Sequence, residues 1–181
     1  IKAVLQKTGS EYLTDVWPNM EVFFHGGISF EPYRDQYKAL IPSDRMHYME
    51  TYNASEGFFG LQDNPEEHSL LLMIDYSVFY EFIPINEVGE EHPTVLPLEA
   101  VEVGKNYAMV ITTSGGLWRY QIGDTVRFTS LYPHKFVISG RTKNFINAFG
   151  EELMVDNADK AISRVCRQTG AKVKEYTAAP L

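Results

Sequence analysis

Between Ser69 and Thr129 the chain falls into four β-rich runs, and no other feature narrows its fold as much. The runs are Leu70 to Asp75, Val78 to Ile83, Asn106 to Thr112, and Leu117 to Phe128 broken at Gly123, with a polar loop over Glu87 to Pro97. Short runs of β-branched and aromatic residues at this spacing form antiparallel hairpins, expected here to flank a main sheet. Outside that stretch, Met20 to Phe24 reads as a short buried strand entering Gly26 and Gly27, His47 to Tyr52 as a second and Lys135 to Ser139 as a third. Gly9 to Val16 reads as the end of a helix. Pro32 to Leu40 reads as a helix with Tyr33, Tyr37 and Leu40 on one face. Ala158, Ala161, Ile162, Val165 and Thr169 mark an amphipathic helix, capped by Asp156 or Asn157 and stopped by Gly170. Lys172 to Tyr176 is strand-like. Strands and helices mixed in this way place the chain in the α/β class.

With 181 residues, 44% of them apolar, the chain can bury a substantial core. Its longest apolar runs, such as Leu70 to Ile74, fall far short of the roughly 20 residues a bilayer helix requires, and no basic-then-apolar leader opens it. A cytoplasmic location and no membrane partner are therefore expected. The single cysteine, Cys166, rules out an intrachain disulfide and reads as core packing. A net charge of -8 argues against nucleic acid as a partner, since phosphate binding needs a basic face. The charge is uneven: residues 1–140 hold 9 Lys/Arg against 19 Asp/Glu, and residues 141–181 hold 7 against 5. The change at Arg141 reads as a domain boundary, unless it is a fluctuation of surface charge.

Three motifs carry chemistry. Tyr52-Asn53-Ala54-Ser55-Glu56-Gly57 brings an aromatic ring, small residues, a hydroxyl and a carboxylate to a strand end, where open α/β sheets bind ligands. Tyr52 suits stacking on a planar base or a place in the core. Glu56 is a hard oxygen ligand of the kind Mg²⁺ takes, or a surface carboxylate. Tyr120-Gln121-Ile122-Gly123-Asp124 supplies a carboxylate for paired hydroxyls, or a plain Gly-Asp turn. Gly140-Arg141-Thr142-Lys143 puts two cations just past a strand, suited to phosphate and carboxylate oxygens or to solvent on a linker. His25 reads as a satisfied structural histidine or a pocket residue, and the other histidines show no metal-ligand spacing.

In order and spacing, FHGGISFEPY, ETYNASEGFFG, GLWRYQIGD and GRTKNFINAFGEEL resemble the acyl-adenylate-forming superfamily and, within it, the auxin-responsive acyl acid amido synthetases, with a bacterial relative expected. The resemblance runs from about Trp17 to about Val155. It implies that residues 1–140 are the later part of a large adenylate-forming domain, and residues 141–181 a hinge and the start of a small α+β domain. It also implies a fragment, because no Ser/Thr/Gly-rich phosphate loop is present and the chain opens at Ile1.

By position, the resemblance makes Gly26, Gly27, Tyr52, Asn53, Ser55, Glu56, Asp124 and Arg141 nucleotide-binding, with Glu56 on Mg²⁺ and Asp124 accepting the ribose hydroxyls. Lys143 takes the hinge position and, with Glu56, a catalytic role. Arginine is common in the family where this chain has Gln121, and Arg119 is expected on the same strand face as Gln121. The implied reaction uses ATP to activate a carboxylic acid as acyl-AMP and passes the acyl group to an amino-acid amine. An acyl-CoA ligase sharing the first step, and a non-catalytic nucleotide-binding piece, are the alternatives.

Overall fold

The computed structural model describes residues 1–27, 30, 33–142, 146–148, 151–153, 155–173 and 176–177. The elements in chain order are α1 (Lys2–Thr8), α2 (Leu13–Val16), β1 (Val22–His25), α3 (Arg34–Leu40), β2 (His47–Ala54), β3 (Gly57–Gln62), β4 (Leu70–Leu72), β5 (Val78–Pro84), β6 (Leu96–Pro97), β7 (Asn106–Thr113), β8 (Tyr120–Leu131), β9 (His134–Arg141), β10 (Ile146–Ala148), β11 (Glu151–Leu153) and α4 (Val155–Thr169). Nine strands form one sheet in the order β1-β2-β3-β4-β9-β8-β7-β5-β6, and β10 pairs with β11 separately.

The sheet changes character along its width. β1 and β2 run parallel, Val22 opposite His47, because α3 carries the chain back between them. From β2 onward every pairing in this sheet is antiparallel; some neighbours are joined by short turns, such as the two-residue Ser55-Glu56 turn between β2 and β3, while β4 and β9 pair across the whole of β5 to β8. The strands of residues 70–129 therefore do not flank a main sheet but continue it.

Among the described residues, three apolar clusters fix this arrangement, the smallest being Ile83, Ala108 and Val110 on β5 and β7. The largest joins Tyr52 and Phe59 from β2 and β3 to Leu70, Phe82, Tyr107, Phe128 and Phe136 from β4, β5, β7, β8 and β9. Phe82 meets Phe128 edge to face at 5.1 Å. Each fully buried ring of this kind contributes about 1.5–3 kcal/mol over exposure, so the cluster draws strands distant in the sheet order into one core. The second gathers Leu13, Phe30, Ile41, Met46 and Tyr48, with Tyr33, Tyr37 and Leu40 packed against it, which is the face expected for α3.

Several local expectations change. Gly9 ends α1 in the left-handed region, its N–H bonding Leu5 O, so Gly9 to Val16 is a break followed by the single turn α2. β1 is not buried throughout. Phe23 packs on Phe30 and Tyr37 while Val22 and Phe24 face outward, since α3 covers one side only. β3, whose GFFGLQ carries two glycines, was not anticipated. β8 runs on through Gly123, where the expected break takes the form of a slip in its pairing with β7, and the first run of the hairpin region stops at Leu72. α4 begins before Asp156 and Asn157, which lie inside it, and ends at Gly170 as expected. Its more buried side is formed by Ile162, Ser163 and Cys166, while Ala161, Val165 and Thr169 are exposed. Lys172 and Val173 belong to no strand, and residues 174 and 175 lie outside the described residues.

Candidate functional site

The site is built on an irregularity of β8. Its pairing with β7 passes from Thr125 opposite Ala108 to Gln121 opposite Val110, so Ile122, Gly123 and Asp124 together face Met109. Gly123 has φ +87° there, a conformation that favours glycine. On the other side of β8, Asp124 pairs with Arg141 and Thr125 with Gly140 before the register slips past Ser139. Thr142 closes the arrangement, its N–H 2.9 Å and its hydroxyl 3.3 Å from Gly123 O. The Gly-Asp and Gly-Arg motifs are thus cross-strand neighbours.

Asp124 is buried, and both its oxygens are engaged. Arg141 Nε lies 3.0 Å from Oδ1. Tyr52 donates its hydroxyl to Oδ2 at 2.6 Å. β2 and β8 are four places apart in the sheet order, which in a flat sheet would separate them by about 19 Å. The contact exists because the sheet curls around the Tyr52, Phe59 and Phe136 core. The Tyr52 phenol is held far above its ordinary pKa, first by burial and then by its bond to Asp124 and the charge of Asp124, with Glu56 adding and Arg141 opposing. Tyr52 is therefore a proton donor at every physiological pH. The charge of Glu56, half-buried on the β2–β3 turn, is felt at this phenol, which ties the turn to Asp124.

The glycine motif approaches from β1. A Cβ on Gly26 would collide with the carbonyl oxygen of Thr51 and come within 3.5 Å of Asn53 Oδ1, so only glycine lets the end of β1 lie against β2 here. Thr51 donates to His25 O at 3.2 Å. Asn53 and Ser55 are exposed, and Gly27, with φ +84°, has open space around it. His25 stacks on Phe30 at 4.2 Å, and neither ring nitrogen has a hydrogen-bond partner among the described residues. Burial, then the charge of Arg34, pulls its pKa down to about 4.

Of the expected residues, the structure brings Tyr52, Asp124 and Arg141 into direct contact, sets Glu56 within electrostatic range, and places Gly26 beside Asn53. Tyr52 meets this group through its hydroxyl, not through an open ring face: the residue is 5% exposed and packs on Phe59 and Phe136. Lys143 lies outside the described residues. Arg119 does not share a strand face with Gln121. It precedes β8 with φ +46° and reaches Glu81 Oε2 at 3.1 Å. Three participants were missed by sequence reasoning: Thr142, and the buried Thr125 and Ser139, whose hydroxyls meet at 3.1 Å. Thr142 was signalled by its place inside the Gly-Arg-Thr-Lys motif; buried hydroxyl pairs leave no local pattern.

Among the described residues, no group of three or more His, Cys, Asp or Glu side chains gathers to hold a metal, and no helix is long and apolar enough to cross a membrane. A cavity of about 340 Å³ between α3 and α4, lined by Asp35, Ile162, Cys166 and Arg167 among others, includes none of the expected site residues.

The chain matches the GH3 family N-terminal domain over residues 1–46 and the GH3 family central domain over residues 71–141. It is 32% identical to indole-3-acetic acid-amido synthetase GH3.4 of Arabidopsis thaliana, over 95% of this chain and 31% of that protein. It is also 32% identical to indole-3-acetic acid-amido synthetase GH3.8 of Oryza sativa subsp. indica, over 91% of this chain and 29% of that protein. The chain thus spans about a third of the length of these curated relatives. The structure of AtGH3.15 acyl acid amido synthetase in complex with 2,4-DB superposes with a TM-score of 0.68 at 19% identity, over 98% of this chain and 37% of that one. That likeness establishes the fold as part of a larger α/β domain.

Proposed function

Because the chain belongs to the GH3 family, we propose that the full-length protein containing it is an ATP-dependent acyl acid amido synthetase, and that Gly26, Gly27, Tyr52, Asn53, Ser55, Glu56, Asp124 and Arg141 form part of its nucleotide site. The observation that carries this reading is the convergence of three motifs: Tyr52, Asp124 and Arg141, far apart in sequence, make one hydrogen-bonded unit.

In the first step a carboxylate oxygen attacks the α-phosphorus of ATP, and the bond to pyrophosphate breaks with its electron pair. In the second, an amino-acid amine attacks the acyl carbon, AMP leaves, and the amine gives up a proton to solvent. Asp124 accepts the ribose hydroxyls, since among the described residues each of its oxygens carries one bond, which leaves a further lone pair. Arg141, exposed over 68% of its side chain, is free to turn toward phosphate oxygens. Gly26 and Gly27 let adenosine lie against backbone, beside Asn53.

Magnesium fits Glu56. The turn offers one partly exposed carboxylate, and this ion takes one or two protein carboxylates with phosphate oxygens and water. When bound it neutralises charge on the departing pyrophosphate. Ser55, next to Glu56, lies near the phosphates. Lys143 is assigned to the hinge, and the boundary between the large and small domains is drawn at Arg141. The cytoplasm is the compartment that suits this chemistry.

ATP–pyrophosphate exchange by the full-length protein, with a panel of carboxylic acids and Mg²⁺, tests the reading. Exchange that needs an acid and collapses in Glu56→Ala supports it, and AMP release on adding amino acids but not coenzyme A fixes the acceptor. A folded protein that binds ATP but exchanges with no acid would sink it.

A further inference from the structure

Resting on that reading of Asp124, we propose that Tyr52 is a positioning residue: its hydroxyl, delivered to Asp124 Oδ2 from inside the core, fixes the carboxylate so that Oδ1 faces the nucleotide ribose, while its ring stacks on no base.

A lone aspartate on a bulged strand swings about two side-chain torsions, and accepting two ribose hydroxyls requires one orientation. Two partners restrain Asp124, and they differ in kind. Arg141 approaches from the solvent side with 68% of its side chain exposed, and such a contact is easily exchanged for water. Tyr52 approaches from within. It is 5% exposed, and its ring lies 5.1 Å from Phe59 and 6.1 Å from Phe136, both fully buried. The bond is 2.6 Å long, runs to a carboxyl oxygen and is buried, and burial strengthens a hydrogen bond.

The position of the hydroxyl is set by the fold. β2 and β3 slip register between Tyr52 and Asn53, leaving Phe59 as an extra residue beneath the tyrosine ring. The phenol keeps its proton through burial, so the donor persists at any pH the enzyme meets. A ribose arriving at Oδ1 then competes with exposed Arg141 and leaves the Tyr52 bond intact.

Calorimetric binding of ATP and 2′-deoxy-ATP to the full-length protein and its Tyr52→Phe variant tests this without knowledge of the acid. The native protein is expected to prefer ATP by about tenfold or more, the scale of a lost hydrogen bond to a charged group. Tyr52→Phe should weaken ATP binding about tenfold and bring the preference close to one. Phe59→Leu, which disturbs the same core but keeps the hydroxyl, should retain the preference. No preference in the native protein would overturn the ribose role of Asp124, and this proposal with it. A full preference surviving in Tyr52→Phe, or lost equally in Phe59→Leu, would overturn the role of Tyr52 alone. Should Tyr52→Phe not fold, 3-fluorotyrosine at position 52 gives an independent reading. Its fluorine resonance should move with ATP and much less with 2′-deoxy-ATP; equal shifts would overturn the proposal.

Discussion

Arg141 Nε sits 3.0 Å from Asp124 Oδ1 because the two residues are paired neighbours on β9 and β8. The last position of β9 thereby reports directly to the carboxylate at the β8 bulge. The pair is open to solvent on the arginine side, so it contributes little to folding, about 0–1 kcal/mol. On the proposed function, its value lies in what a cation at that spot does for a bound nucleotide.

Arg141→Met should accordingly leave the denaturation midpoint nearly unchanged while weakening ATP binding about tenfold, the scale of one charge-assisted contact. Urea melts alongside calorimetric binding check it. A large stability loss with unchanged affinity would mean that the pair is structural.

Gly26 and Gly27 predict different failures. Alanine at Gly26 would drive its Cβ into the Thr51 carbonyl, and β1 must move off β2 to relieve the clash; overpacking of this kind costs about 1–3 kcal/mol. Alanine at Gly27 meets open space but must adopt φ +84°, a penalty of about 1–2 kcal/mol. Denaturant unfolding of both variants should rank Gly26→Ala as the more damaging or equal, and ATP binding should suffer in Gly26→Ala. A Gly26→Ala protein as stable as the native one would refute the close approach.

How far the sequence alone reached is clear from these same residues. The motifs singled out contain Tyr52, Asp124 and Arg141, which the fold brings into contact, and the i, i+4 and i+7 spacing of Tyr33, Tyr37 and Leu40 gave the packed face of α3, because that signal is local. For Tyr52 the sequence left a planar base and the core both open, and the burial that the structure shows was not decided locally. It follows from a curl that brings β2 to β8, and curl depends on how distant strands share a core. β3 escaped notice because glycine at positions 57 and 60 weakens a strand pattern, although Gly60 is needed where Phe136 and Leu70 crowd the backbone. On α4 the helix was expected correctly but its face was not: Ala161, Val165 and Thr169 are exposed, and the buried side centres on Ser163, a polar residue that no hydrophobic pattern would choose.

His25 makes stability pH-dependent. Its folded pKa, about 4, lies below the ordinary 6.5 because burial and Arg34 disfavour the imidazolium. Between those values the unfolded chain binds the extra proton, so stability rises with pH across the window. It is fully present above about pH 6.5 and is lost as pH falls toward 4. The ring is only partly buried, so the loss is on the order of 1 kcal/mol. Chemical denaturation at pH 7 and pH 4.5 should show this loss in the native protein and a smaller one in His25→Phe, which keeps the stack on Phe30. Equal losses in both would assign the pH dependence to other groups.

Substitution of Glu56 tests the proposed metal role apart from the proposed ribose contact. The Ser55-Glu56 turn is anchored by β2 and β3 on either side, and Glu56 is partly exposed, so Glu56→Gln should fold normally. The neutral amide keeps the shape and an oxygen but lacks the charge that draws a hard cation. In ATP–pyrophosphate exchange by the full-length protein the variant should need more Mg²⁺, by about tenfold or more. Its rate should recover partly at saturating metal, while its preference for ATP over 2′-deoxy-ATP stays native, because Asp124 and Tyr52 are untouched. A lost ribose preference with an unchanged Mg²⁺ requirement would overturn the metal role, making Glu56 a ribose contact and leaving the metal to side chains elsewhere.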